Sequence, residues 1–435
     1  MKWFAGASLL LLIALVFKLG LLAYAMYALL AVMLTSRFLA RTWAESLAAE
    51  RVCNRVSVNV GDTVAVVIAV KNSGGLPIPW VLLEDLLSRH ALIPPPPRLG
   101  VKGRRLQLAM LAGRGRKTFM YQLDCRQRGY FQIGPLMMET GDLFGLHRRY
   151  RVVTEPHFLL VYPEVLALEG FDIASRRPIG EVRMTYRLYE DPTRIAGVRH
   201  YEAGDPLNRV HWPATARTGE LHSKVYEPST VAGATILLDF HQDAYEPRHR
   251  AVRSELAVTT AASLANAVYE MNQQVGLVTN GRDAADRIRQ EGWDYDIRSR
   301  RAARRVAEMV DSSDRLAPVV VPTRRGAEQL MRILETLARV ELTDGLTFAQ
   351  LVAETTSRLP RDATVLAILP SVSAEAAFAL GNLRRHGFAV TAILNVYGVH
   401  EFEVSAGRLL AEGIEARHLE DRASIVTLCR DYVLR

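Results

Sequence analysis

From Trp3 to Leu34 the chain carries one charged residue, Lys18, and divides at Lys18-Leu19-Gly20 into two apolar arms, Trp3–Phe17 and Leu21–Leu34. As helices the arms span only about 21–23 Å each, short of a roughly 30 Å hydrocarbon core. Running on through Thr35, Ser36 and Arg37, with Lys18 snorkelling, relieves the deficit. A cleaved signal peptide would not be followed at once by a second apolar arm. One long helix would place Lys18 near the bilayer centre, at high cost. The pattern therefore predicts a membrane-spanning helical hairpin over residues 1–36. Arg37, Arg41, Arg51 and Arg55 follow the second arm and Lys2 precedes the first. The positive-inside rule then places both ends, and the soluble remainder, in the cytoplasm. Residues 37–55, rich in Ala, Glu and Arg, are expected as a helical juxtamembrane linker.

At Val56 the period changes from helical to two. Val56–Val60 alternates, Gly61-Asp62 turns, and Val64–Val70 is a β-branched run. Further strands are expected at Trp80–Asp85, Leu106–Met110, Thr118–Leu123 and Phe158–Tyr162, punctuated by Gly, Pro and Asn. The segments Arg128–Pro135 and Gly141–Leu146 lie between the last two. This spacing predicts an all-β sandwich of immunoglobulin-like size over residues 56–165. Pro94–Pro97 reads as a stiff loop.

Beyond a connector at 166–230, residues 231–435 alternate strands and helices. Thr235–Phe240, Val275–Thr279, Thr364–Leu369 and Val390–Val396 are buried-strand runs, and Arg253–Met271 has helical spacing. A mainly parallel, Rossmann-like α/β sheet covered on both faces follows.

The net charge of +8 raises nucleic-acid binding as a possibility. The basic residues are dispersed, however, and no helix-turn-helix, zinc-finger or aromatic-basic motif accompanies them. The densest cluster, Arg298, Arg300, Arg301, Arg304 and Arg305, fits the solvated face of a helix. No nucleic-acid partner is expected. Three cysteines, Cys53, Cys125 and Cys429, form neither a disulfide framework nor a zinc site; a Cys53–Cys125 bridge stays open.

The most distinctive stretch runs from Arg199 to Arg217. Arg199, Tyr201, Gly204, Asp205, Arg209, Trp212, Ala216 and Arg217 match the pattern Arg-x-Tyr-x-x-Gly-Asp-x-x-x-Arg-x-x-Trp-x-x-x-Ala-Arg. That pattern resembles the signature of the bacterial family called domain of unknown function 58. The upstream Arg-Gly-Tyr, Gly-Asp-Leu-Phe-Gly-Leu and Val-Tyr-Pro segments, and the paired hydrophobic start, are similar to that family too. Physically, Gly204-Asp205-Pro206 is a turn, and Asp205 can accept from turn amides or from Arg199 and Arg209. These residues could lock two domains together as a polar network, or serve as a docking surface. His211, His222, Ser223 and Asp205 are the residue types of nucleophilic catalysis, but no nucleophile elbow frames them. No catalytic residue is assigned.

The strand ending at Asp239 resembles the first strand of a von Willebrand factor A domain, whose metal site uses Asp-x-Ser-x-Ser with a distant Thr and Asp. Here His241 and Asp243 replace both serines, and Pro370-Ser371 stands where a later acid is expected. Hard divalent cations want several oxygen ligands, so the site is degenerate and no cofactor is expected beyond weak magnesium at Asp239 and Asp243. The family resemblance implies association with MoxR-type AAA+ ATPases, sometimes with transglutaminase-like and other von Willebrand factor A proteins. The expected function is a non-enzymatic adaptor or assembly factor on the bacterial inner membrane. The alternatives are a hydrolase around Asp205 and His211, and a metal-dependent adhesion or receptor module facing outward.

Overall fold

The structure is a computed structural model that describes residues 2–87, 89–92, 97–142, 145, 147–168, 190–201, 210–228, 233–284, 316–360 and 363–428. Gly204, Asp205, Arg209, Cys429, Pro94–Pro96 and the arginines of 298–305 lie outside these residues. The chain divides into two compact units. The first is the chain up to Glu164 with returns near 282 and at Leu334–Glu341; the second holds most of the rest.

In the first unit, α1 (Lys2–Val16) and α2 (Gly20–Ser46) pack together across a short turn in which Lys18 takes φ 54°. Among the described residues α2 is the one helix long and apolar enough to cross a membrane; α1 is apolar but shorter. The helix ends at Ser46, and Leu47–Cys53, expected to be helical, is strand β1. Propensity loses here to burial. Leu47 and Arg51 turn inward at the buried steps of a period-two pattern and pair edge-on with β3.

Strands β2 (Ser57–Asn59), β3 (Thr63–Asn72), β4 (Ile78–Leu87), β5 (Leu99–Lys102) and β6 (Leu106–Leu111) follow. Then come β7 (Arg116–Cys125), β8 (Gly129–Gly141), β9 (Arg148–Thr154) and β10 (His157–Tyr162). They build a four-stranded sheet, β1-β3-β7-β5, and a larger one, β2-β10-β8-β4-β6, with β9 beside β8. Alternate residues of both sheets, including Val66, Ile68, Leu83, Leu123, Leu136 and Leu159, fill one core. Leu39, Trp43 and Ala44 of α2 reach into the same core, so the apolar helix and the sandwich are one folded body. Strand β8 runs through Gly134-Pro135, with Gly134 at φ +95°. Cys53 and Cys125 are free thiols; burial pushes the Cys125 thiol up to about 12, so it is inert at neutral pH.

The second unit opens with a two-stranded ribbon, β11 (Glu190–His200) and β12 (His222–Pro228), whose connection carries helix α3 (Trp212–Thr218). Its main sheet uses β13 (Gly233–Leu238), β14 (Gln274–Thr279), β16 (Val319–Arg324), β18 (Ala363–Leu369), β19 (Val390–Leu394) and β20 (Glu415–His418). Short strands β15 (Arg282–Asp283) and β17 (Val340–Glu341) pair within the first unit. The main sheet runs β16-β14-β13-β18-β19-β20, parallel except for β16, which is antiparallel to β14. Every residue of β13 is buried, the mark of a central strand covered on both faces. Helix α4 (Arg250–Glu270) packs on β13, β14 and β18. Leu351 and Leu380, on the segments Phe348–Thr355 and Ala374–Arg385, join the core on strands β18 and β19.

Candidate functional site

Two places in the second unit carry the sequence-predicted residues. The first is the ribbon with α3. Residue Arg199 is level with Ser223 and His200 with His222, and the amide of His211 donates to His222 O at 2.8 Å. His211 caps α3: its Nδ1 accepts from the Ala214 amide at 3.1 Å, replacing a partner the first turn lacks. Pro213 occupies the first turn, and Gly219 closes the helix in the left-handed conformation with φ 78°. The Thr215 hydroxyl accepts from the His222 amide at 3.1 Å, tying the helix to the strand.

This helix is well specified, yet none of its residues is buried. Trp212 is 66 % exposed, and Leu221 and Val198 on the ribbon are exposed as well. Trp212 and Ala216 lie four residues apart and so share a helix face, with Arg217 in the last turn. Arg199 is exposed and donates to His200 O at 3.1 Å, while Tyr201 is half-buried. The described signature residues thus sit at the surface. Gly204, Asp205 and Arg209, and with them the network drawn through Asp205, lie outside the described residues. No hydrogen bond among the described residues joins Ser223 Oγ to His211 or His222. His211 is committed to its cap, and His222 Nδ1 faces Glu220 O and Thr218 Oγ1 at 2.8 and 3.2 Å. His200 Nδ1 lies 3.2 Å from Glu220.

The second place is the carboxyl end of the parallel sheet. Asp239 follows β13 and is buried; its Oδ1 accepts from the His241 amide at 3.1 Å and from Asn280 Nδ2 at 2.9 Å. Asn280, just after β14, also accepts from the Phe240 amide at 2.6 Å and donates to Leu346 O at 2.9 Å. Burial pushes the Asp239 carboxyl above the usual carboxylate range, and its neutral hydrogen-bond donors only partly offset that. Asp243 stands apart on an exposed 3-10 turn. The pair is not assembled as a ligand set, and among the described residues no three His, Cys, Asp or Glu side chains group closely enough to hold a metal.

A third cluster escaped the sequence reading. Arg253, in the first turn of α4, donates from Nη1 to Asn395 Oδ1 at 3.1 Å, Leu419 O at 3.1 Å and Glu420 O at 2.8 Å. Asn395 Nδ2 returns a bond to Arg253 O at 2.8 Å, and the Tyr397 ring lies 3.3 Å from the guanidinium carbon. These residues join α4 to the ends of β19 and β20 from positions more than a hundred residues apart. Nothing local in the sequence pairs them.

Residues 197–292 match the model of the family described as "Protein of unknown function DUF58". That span takes in the last residues of β11, α3, β12, Asp239 and Asn280. A curated relative, "Uncharacterized protein YeaD" of Bacillus subtilis (strain 168), is 25 % identical over 259 residues, covering 59 % of this chain and 62 % of its own length. The chain therefore spans under two thirds of that relative. Among solved structures, the CARDB domain of the PF1109 protein from Pyrococcus furiosus, in complex with di-metal ions, is similar at 15 % identity and TM-score 0.19. The likeness covers 26 % of this chain and 91 % of that one. Proximal thread matrix protein 1 from the mussel byssus is similar at 10 % identity and TM-score 0.30, over 46 % and 47 % of the two chains. At such low scores the architecture is read from the chain's own strands.

Proposed function

We propose that this chain is a membrane-anchored, non-enzymatic interaction protein, an adaptor or assembly factor that docks a MoxR-type AAA+ ATPase through the ribbon and helix α3. The observation that carries this reading is α3 itself. It is capped at both ends, braced to β12, and exposes Trp212 instead of burying it. A rigid exposed aromatic on a short helix that also carries basic Arg217 is the kind of anchor that dominates protein interfaces. The partner's identity rests on the resemblance carried by Arg199 to Arg217.

Two finer assignments belong to the same proposal. We read the α/β unit as von Willebrand factor A-like. Counted from β13, its strand order is 3-2-1-4-5-6 with the third strand antiparallel, and Asp239 ends the first strand. We read α1 and α2 as a two-pass hairpin with the soluble units in the cytoplasm, since Arg37 and Arg41 flank the exit of α2.

The test is crosslinked affinity purification of the full-length protein from its own membranes, with mass spectrometry of what is recovered. Recovery of a MoxR-type ATPase, lost in Trp212→Ala, is the expected result. Its absence under ATP, ADP and nucleotide-free conditions alike would overturn the reading.

A further inference from the structure

We infer that the sandwich rests on the membrane surface and that Arg37 and Arg149 bind the headgroups of anionic phospholipids there. This rests on the membrane-anchor reading and adds to it a lipid class and a surface of the soluble fold.

The height of the sandwich above the bilayer follows from contacts inside the first unit. Exposed apolar side chains cover α1 and the first part of α2, and on α2 they end with Leu34 and Phe38, at 59 % and 66 % exposure. From the next residue on, the apolar residues face the other way: Leu39 and Trp43 enter the sandwich core. The hydrocarbon boundary on α2 therefore falls close to Ser36–Phe38. At that level the hydroxyl of Ser36 donates to the carboxylate of Asp142, just beyond the end of β8. On the neighbouring helix, Phe4 stacks on His147 with ring centroids 6.1 Å apart. The Asp142 carboxylate accepts from the His147 amide at 2.9 Å, and Asp142 O accepts from Trp80 Nε1 at 3.3 Å. Both membrane helices thus touch the same end of β8 and β9.

From there β9 climbs away from the bilayer alongside α2. Its far reference point is Arg151, whose Nη1 donates to Ala44 O at 3.2 Å. Ser36 to Ala44 is a rise of about 12 Å along the helix, and Arg148 to Arg151 is about 10 Å along the strand. The two measures agree. Arg149 shares a strand face with Arg151 and lies one pleat nearer the membrane. It therefore lies beside α2 within the polar layer, which is roughly 5–7 Å thick on each side of the hydrocarbon.

Charge then selects the lipid. Arg148 is matched by Glu139 at 3.3 Å, and Arg41 by Glu45 at 2.8 Å. Arg37 and Arg149 are exposed and have no ion-pair partner among the described residues. Two guanidiniums in the headgroup layer, unmatched among the described residues, favour anionic phosphate over zwitterionic lipid.

The experiment uses the full-length protein in phosphatidylcholine vesicles doped with spin-labelled phosphatidylglycerol or spin-labelled phosphatidylcholine. Electron paramagnetic resonance reads how much of each label is immobilised at the protein. We expect the phosphatidylglycerol label to be held roughly three- to fivefold more strongly. Arg37→Gln/Arg149→Gln should bring the two labels to parity, and Arg126→Gln, outside this collar, should not. Equal retention of both labels by a wild-type protein that floats with the vesicles would overturn this inference and leave the anchor standing. Failure of the wild-type protein to float would remove both.

Discussion

Arg51 and Asp85 form an ion pair at 2.9 Å in the sandwich with neither side chain reaching solvent. The guanidinium also donates to Ile133 O at 2.7 Å and to the Thr154 hydroxyl at 2.8 Å, and Tyr121 donates its hydroxyl to Asp85 at 2.7 Å. A strand from the end of α2 is thereby tied to β4, β7, β8 and β9. Removing one partner strands a charge in the interior, so we predict that Asp85→Ala costs about 3–5 kcal/mol. The loss should appear as lowered hydrogen-exchange protection in β3 and β7, a readout suited to a chain with two units. Arg51→Met/Asp85→Leu should lose less than the two single changes added together.

Gly134 belongs to the same network. It holds φ +95°, and a side chain there would run into the Arg51 guanidinium, which is pinned by its own bonds. Gly134→Ala therefore combines backbone strain with a clash that cannot relax, and we predict a loss of roughly 1–3 kcal/mol. Protection of β1 and β8 should fall together. A change confined to the β8 amides would show that Arg51 yields more easily than its contacts imply.

Both residues show where sequence reading reaches and where it stops. The two apolar arms, the alternating strands and the all-buried β13 were legible because burial leaves a local period. The strand at Leu47–Cys53 was not, since Ala, Glu and Arg favour helix and the reason Arg51 turns inward lies on β4. Nor was the need for Gly134 in mid-strand, because the guanidinium packed against it comes from β1. At the carboxyl end of the sheet, Asp239 was visible as an acid ending a strand. Its partner Asn280 was not, because it becomes a neighbour only when β14 pairs with β13.

Arg253 makes a prediction that separates charge from shape. Its hold on Asn395, Leu419 O and Glu420 O, and its stacking on Tyr397, depend on a planar guanidinium. Arg253→Lys keeps the charge but loses the planar group that stacks on Tyr397 and the Nη1 that reaches all three acceptors. We expect it to destabilise the second unit by about 2–3 kcal/mol, with exchange quickening first at β20 and its loop. Unchanged protection would mean that the aromatic contact and the Nη1 bonds contribute little.

The orientation proposed for the hairpin has a direct readout. Green fluorescent protein fused after Arg435 should fluoresce, because that terminus is assigned to the cytoplasm; a periplasmic alkaline phosphatase fused at the same point should be inactive. The reverse pair of results would make α2 the sole crossing and turn the soluble units outward.

Asp239 yields the pH prediction. Burial raises its folded-state pKa, with the hydrogen bonds from Asn280 and the His241 amide opposing the shift. The folded state thus binds the proton more tightly than the unfolded chain does. The stability this gives is fully present below the unfolded carboxylate pKa of about 3.9 and is lost as pH rises through the folded value. Asp239→Asn removes the titration while keeping a side-chain oxygen to accept from both donors. Its melting temperature should exceed that of the wild type at pH 7.5, and the gap should close as pH falls towards 4. Magnesium should raise neither, because Asp243 is on the surface and no third ligand joins Asp239 among the described residues. A magnesium-dependent rise in the wild type that is absent from Asp239→Asn would show a working metal site and revive the adhesion reading.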